Sequence, residues 1–232
     1  MHTTTSSVED YLKTIYELQQ DQGRLPVRTS DLAENLGVTR ASVSGMLRKL
    51  AAGRPSLITY ERYHGTRLTA EGEKIALQVV RHHRLIESYL SAALGFAWDE
   101  VHSEAHRLEH VISASLGERL AEALGDPQAD PHGEPIPARD GRVPFRDEVR
   151  LSQSVAGRTV RVSRVSDDDP AFLRYLAQIG LTLNASVQVI QRAPFDGPLH
   201  VRTLANDATL TLSQRVTDQI FVSVEPEESH DG

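Results

Sequence analysis

Apolar residues keep one spacing through the front of this chain and another through its back, and a proline-rich run separates the two. Val8, Tyr11, Leu12, Ile15 and Tyr16 recur at i, i+3, i+4, i+7 and i+8, the period of an amphipathic helix running to about Gln20. From Val149 the segments GRTVRVSRV, SVQVIQRA, LHVRTL, ATLTLS and QIFVSVEP have the length and alternation of strands, with one helix inserted at Pro170 to Gln178. Between them GDPQADPHGEPIPARDGRVPF carries five prolines and little apolar content, as a linker or an irregular covering loop does. The chain must therefore be α+β and multidomain, with a helical front and a small five-stranded barrel behind.

Within the front half, Thr29 or Ser30 is placed to cap a short helix through Leu36, and Gly37 supplies a turn. Thr39 then caps a second helix through about Ala51 that buries Val43, Met46, Leu47 and Leu50, which is the helix-turn-helix layout. SLITYERY, the pair His64-Gly65 and TRLTAEG follow as two short strands around a tight turn, the wing of a winged helix. The bland reading is a helical hairpin followed by a β-hairpin. Charge distribution favours the other: the chain carries −7 overall, yet residues 36–70 hold Arg40, Arg48, Lys49, Arg54, Arg62 and Arg67 against Glu61 alone. Candidate DNA contacts are Thr29, Ser30, Thr39, Arg40, Ser42, Ser44, Arg48, Lys49, Arg62 and Arg67, the serines suited to phosphates and base edges and the cations to phosphates.

Residues 83–110 hold four of the ten histidines. A helix over 70–90 carries His83 and Glu87. After the apolar break of Leu90, Leu94, Phe96 and Trp98, a single helix over 99–124 places His102, His106, Glu109 and His110 within an arc of roughly 100°. Imidazoles and carboxylates crowded on one face are ligands for Mn, Fe, Co, Ni or Zn, and the absence of cysteine restricts any site to nitrogen and oxygen donors, with methionine the one soft exception. A solvated, histidine-rich face is the competing reading. A zinc-protease helix is excluded, because Glu104 stands two residues after His102 and on the other side of the helix. Once ligands are assigned, no Ser, His or Glu constellation remains beside the cluster to supply a general base, so a metallohydrolase is the remote alternative. Local grounds assign Ser7 as N-cap of the first helix, Asp10 to its first turn, and His132 to a solvated loop. Val101, Leu108, Val111, Ile112, Leu116 and Leu120 exceed one narrow stripe and suit either a core or a subunit interface. No run approaches a membrane span and the N-terminus has no secretory pattern, so a cytoplasmic location is expected, with a disordered acidic tail over 227–232.

EDYLKTIYEL, LTAEGEKIALQVVRHHRLIESYL, VHSEAHRLEH and DPHGEPIP, in that order, resemble the diphtheria-toxin-repressor family of metal-dependent transcription regulators over nearly the whole chain. The resemblance implies a winged DNA-binding domain over 1–72, a helical metal-binding and dimerisation domain with its linker over 73–146, and an SH3-like barrel over 147–226. It implies two metal positions per subunit: a primary one at Asp10, His106, Glu109 and His110, and an ancillary one at His83, Glu87 and His102 with a barrel oxygen from Asp168 or Asp169. Asp10 is then a ligand and not only a helix-terminal acid. The iron-sensing members carry Met at the place of Asp10 and Cys at that of His106; the manganese branch has the Asp but a Glu at the second place. Lys13 stands where that branch has an acidic ligand, Gly45 replaces a glutamine of the recognition helix, and Ala171 falls where a second barrel ligand is expected. The implied protein is a metal-activated homodimer on operator DNA, a repressor of metal-uptake genes, with Mn(II) favoured and Fe(II) the alternative, and with no small-molecule substrate or membrane partner.

Overall fold

The computed structural model describes residues 4–21, 23–166 and 169–224, and the chain divides into two compact units. The first comprises Met1–His83, His106–Arg119 and Pro137–Val143; the second Arg84–Ala105, Leu120–Ile136 and Pro144–Gly232.

The first unit opens with α1 (Ser6–Asp21), α2 (Thr29–Asn35) and α3 (Arg40–Ala52), then β1 (Ile58–Glu61) and β2 (Gly65–Leu68). Helix α1 buries the expected face, Val8, Tyr11, Leu12, Ile15 and Tyr16. It begins before the anticipated Ser7 cap, because the Val8 and Glu9 N–H groups both donate to the Thr5 carbonyl. No side chain caps α2: Arg28 is its N-cap, Thr29 is already helical, and the Ser30 hydroxyl donates to Asp31. Thr39 does cap α3, accepting from the Ser42 N–H at 3.2 Å. Strands β1 and β2 pair antiparallel from Ile58↔Leu68 to Glu61↔Gly65, and a bridge from Val27 to Thr66 ties the wing to the segment before α2. Leu12, Ile15, Val27, Leu32, Val43, Leu47, Leu50 and Ile58 form one core with Ala76 and Val80 of α4 (Ala70–Leu94). Leu47, fully buried on the inner face of α3, should cost about 2–5 kcal/mol as Leu47→Ala in thermal or denaturant unfolding.

One expected helix is two. Residues 99–124 form α5 (Val101–Leu108) and α6 (Ala114–Ala123), with a turn between them. The Ser113 hydroxyl accepts from the Leu116 N–H at 3.2 Å and so starts a new helix, a local competition that apolar spacing does not register. Glu109 and His110 consequently lie in the turn beyond α5, where backbone direction is not set by a helical repeat.

The second unit is built on a six-stranded antiparallel sheet, one strand more than expected. Its elements are β3 (Val149–Arg150), a 3-10 turn (Leu151–Gln153), β4 (Thr159–Val165), α7 (Pro170–Gln178), β5 (Ser186–Arg192), β6 (Leu199–Thr203), β7 (Thr209–Leu212), α8 (Gln214–Thr217) and β8 (Ile220–Val224). The order is β3-β8-β4-β5-β6-β7, and β3 and β7 are not paired with each other among the described residues, so the sheet curves without closing by strand pairing. Irregularities in β4 at Val162/Arg164 and in β5 at Val189/Gln191 supply local bends. Alternating valines Val160, Val162, Val187, Val189, Val201 and Val222 point inward with Leu173 and Leu176 of α7. Asp169 caps α7, its carboxylate accepting from the Ala171 N–H at 2.8 Å.

Candidate metal centre and nucleic-acid face

In the first unit Asp10, His106, Glu109 and His110 each offer a ligand atom, all within 4.8 Å of one another. Asp10 comes from α1 and sits beside the face that builds the winged core; His106 lies in the last turn of α5; Glu109 and His110 come from the turn after it. Glu109 is the centre of the arrangement and is almost wholly buried. Its two oxygens face different neighbours. Oε1 lies 2.9 Å from His106 Nδ1 and 3.3 Å from His110 Nε2. Oε2 accepts from Lys13 Nζ at 2.7 Å and lies 2.5 Å from His83 Nδ1, with Lys13 and His83 themselves 3.0 Å apart. Burial alone would push the Glu109 carboxyl up, but hydrogen bonds from His106 and His83 and the Lys13 ammonium more than offset this and hold it far below the usual carboxylate range. A depressed carboxyl gives stability that is complete above its unfolded value and is lost only as pH falls through the folded one. Glu109 therefore stays ionised at any ordinary pH. Because a ligating nitrogen or oxygen must be unprotonated, metal binding should be coupled to protons, measurable as proton release during a metal titration.

The second unit contains Glu87 on α4, fully buried, with His102 Nδ1 of α5 at 3.3 Å from its Oε1. His83 precedes Glu87 by one turn of the same helix, and the division between the units falls immediately after it. Glu87 also groups with Asp130 and His132, all three buried. The expectation that His132 is a solvated loop residue is wrong, since its relative exposure is 0%. Asp130 Oδ1 accepts from the His132 and Glu134 N–H groups at 2.8 and 2.9 Å, which folds the loop inward. His132 Nε2 donates to the Trp98 carbonyl at 2.6 Å and the ring stacks near the indole, so Nδ1 is the nitrogen left with a lone pair. Gly133 makes this turn possible: its φ is +90°, and a Cβ there would stand 2.2 Å from the Ser163 carbonyl oxygen. Gly133→Ala should displace the loop and lower the melting temperature of the protein. Of the two barrel candidates, Asp169 is engaged in capping α7, and Asp168 lies outside the described residues.

On α3, Arg40, Ser42, Gly45, Arg48 and Lys49 are exposed and Ser44 is half-buried. The hydroxyls of Thr39 and Ser42 lie 3.0 Å apart at the helix start. Thr29 and Ser30 are half-buried at the front of α2. Arg62 is exposed at the wing tip with its guanidinium over the Tyr63 ring, and Arg67, also exposed, donates to the Arg24 carbonyl. Gly45 has no atom within 4 Å of where a Cβ would stand, so nothing inside the chain requires a glycine there. Gly45→Ala should raise stability by roughly 0.5–1 kcal/mol in denaturant unfolding.

A winged helix whose first helix shares a carboxylate and imidazole cluster with the helical segment behind it defines a metal-responsive DNA-binding regulator. Three family models match in order: "Iron dependent repressor, N-terminal DNA binding domain" over residues 3–66, "Iron dependent repressor, metal binding and dimerisation domain" over 69–138, and "FeoA domain" over 149–224. The diphtheria toxin repressor of Corynebacterium jeikeium is 34% identical over 174 residues, 73% of this chain and 71% of that protein. The HTH-type transcriptional regulator MntR of Bacillus subtilis is 41% identical over 87 residues, 38% of this chain and 58% of that protein. Among solved structures, a manganese-dependent transcriptional repressor in complex with manganese is 40% identical with a TM-score of 0.86, covering 94% of this chain and all of that one. A second, ScaR with bound Zn2+, is 30% identical with a TM-score of 0.81, covering 94% of this chain and 99% of the other. The chain belongs to the diphtheria-toxin-repressor family of metal-dependent transcriptional regulators, a family of repressors and not of enzymes. No helix among the described residues is long and apolar enough to cross a membrane.

Proposed function

We propose that this chain is a Mn(II)-responsive repressor of metal-uptake genes, acting in the cytoplasm as a homodimer on operator DNA. The observation that carries it is the meeting of Asp10, from the first helix of the winged domain, with His106, Glu109 and His110. Two carboxylates and two imidazoles, one of the carboxylates buried and held ionised, fit a first-row divalent cation. A cation held there would supply the charge that lets Asp10 and Glu109 share one centre. Asp10 would then tie α1, and with it the core shared by α1, α2 and α3, to the segment after α5. Switching comes from the difference in metal affinity between arrangements that present α3 to DNA and those that do not. Exposed apolar side chains at Leu108, Val111 and Leu116 supply a surface for the second subunit.

Lys13 sets the number of ions. Its ammonium already occupies the Oε2 side of Glu109, where a second cation would otherwise sit, so the primary centre takes one metal. An ancillary ion belongs to Glu87, drawing on His102 from the next helix or on Asp130 and His132. Fe(II) remains the alternative effector, since both branches of the family supply parts of the ligand set. The test is a gel shift with DNA from upstream of a metal-transporter gene, with Mn(II) and with chelator; equal binding in both removes the switch.

Arg48 and Lys49 are exposed far along α3 and meet phosphates in this reading, whereas Arg40 and Ser42 stand at its front and read bases. Arg48→Ala or Lys49→Ala should weaken binding to all sequences alike. Each should also flatten the log K against log[salt] slope by ~0.9 for every phosphate that a half-site no longer neutralises. Substitutions at Arg40 or Ser42 should instead alter preference between sequences, read by competition among operator variants.

A further inference from the structure

Glu9 immediately precedes Asp10 and lies outside the proposed ligand set, yet it is bonded to a member of that set. The His110 ring is held at both nitrogens. Nε2 faces Asp10 Oδ1 at 2.7 Å and Glu109 Oε1 at 3.3 Å; Nδ1 faces Glu9 Oε2 at 2.8 Å. The other Glu9 oxygen accepts from the Thr4 hydroxyl at 2.6 Å, so the carboxylate is itself oriented. A neutral imidazole ligates through one nitrogen while the other carries the proton, and the partner of the protonated nitrogen decides which is which.

We propose that Glu9 is a positioning residue for the metal centre: by accepting the Nδ1–H of His110 it fixes the tautomer that leaves Nε2, on the side of Asp10 and Glu109, to ligate a bound cation. The proposal rests on the primary centre described above. A glutamate in the first turn of a helix is ordinarily accounted for by the positive end of the helix dipole, and Glu9 does stand in the first turn of α1. That account explains a negative charge but not a carboxylate aimed at one imidazole nitrogen and steadied from behind by a hydroxyl. Nor is Glu9 placed to ligate alongside the others, since it stands on the Nδ1 side of His110 while Asp10 and Glu109 stand on the Nε2 side.

The experiment compares the full-length chain with Glu9→Ala, Glu9→Gln and, as a control on the centre itself, Asp10→Ala. Mn(II) alone is titrated by calorimetry, and the His110 tautomer is read in the Zn(II)-loaded proteins from long-range nitrogen–proton NMR correlations. Glu9→Ala should bind Mn(II) about 10–100-fold more weakly and show a mixed His110 tautomer. Glu9→Gln, whose amide oxygen still accepts Nδ1–H, should recover most of the affinity and the single tautomer. Unchanged Mn(II) affinity in both Glu9 variants, with Asp10→Ala weakened, overturns the role of Glu9 and leaves the centre standing. A Glu9→Gln protein as weak as Glu9→Ala but with an unaltered tautomer would make Glu9 a direct ligand and also overturns it. If Asp10→Ala binds Mn(II) like the parent, the centre itself has been misread.

Discussion

A chain carrying Glu109→Ala should no longer bind DNA in response to metal, and it should unfold at lower temperature even with no metal present. Two effects combine. The Glu109 carboxylate is the buried group that both histidines of the primary centre approach, so its removal takes away the central acidic donor. It also removes the anion beside Lys13, whose side chain is only 8% exposed. Taking one partner from a buried ion pair costs about 3–5 kcal/mol, because the remaining charge keeps its desolvation penalty. His106→Ala separates the two consequences: that side chain is 57% exposed, so metal response should vanish while the melting temperature without metal barely moves. His83→Ala falls between them. Its Nδ1 contacts both Glu109 and Lys13, so it should disturb the primary centre. Pairing Glu109→Ala with Lys13→Met should restore part of the lost stability and none of the metal response. Calorimetric unfolding and a Mn(II)-dependent gel shift measure the two effects, and a Glu109→Ala protein that still responds to Mn(II) would remove Glu109 from the centre.

The parts legible in the sequence were those set by period and by turn chemistry. The buried face of α1, the Thr39 cap, the wing turn and α7 follow from residue spacing and short-range hydrogen bonding alone. The break after Leu108 was not legible, because Val111, Ile112 and Leu116 continue a helical apolar pattern through it while a single serine hydroxyl redirects the backbone. His132 was missed for a related reason. A proline- and glycine-rich run ordinarily lies in solvent, and only the turn closed by Asp130, together with the space that Gly133 leaves beside Ser163, turns the imidazole inward. DPHG carried that signal in its Asp and Gly, which are the residues a sharp inward turn requires. Lys13 shows the limit differently. Spacing placed it on α1 but could not say that its ammonium would meet a carboxylate ninety-six residues away.

Asp10→Met should weaken the response to Mn(II) on the order of tenfold or more while reducing the response to Fe(II) less. The donor set is the reason. Asp10, His106, Glu109 and His110 contain no sulfur, and two hard anionic oxygens with two imidazoles suit Mn(II) or Fe(II). In a test tube any such site binds Co(II), Ni(II) or Zn(II) at least as tightly, so affinity alone cannot name the physiological ion. A substitution that changes ligand softness at fixed geometry can separate the candidates. Asp10 is suited to this, being partly exposed at 31% of its side chain and touching the rest of the centre through His110 Nε2 at 2.7 Å. The exchange puts a soft neutral thioether in place of a hard carboxylate and removes one negative charge; Mn(II), the harder ion and the weaker binder of the two, loses most from both changes. DNA binding of the parent and variant chains, titrated with each ion under anaerobic conditions, gives the comparison directly. Equal losses for the two ions would show that Asp10 contributes charge and not selectivity, and an unchanged Mn(II) response would return Asp10 to a helix-terminal acid at the front of α1.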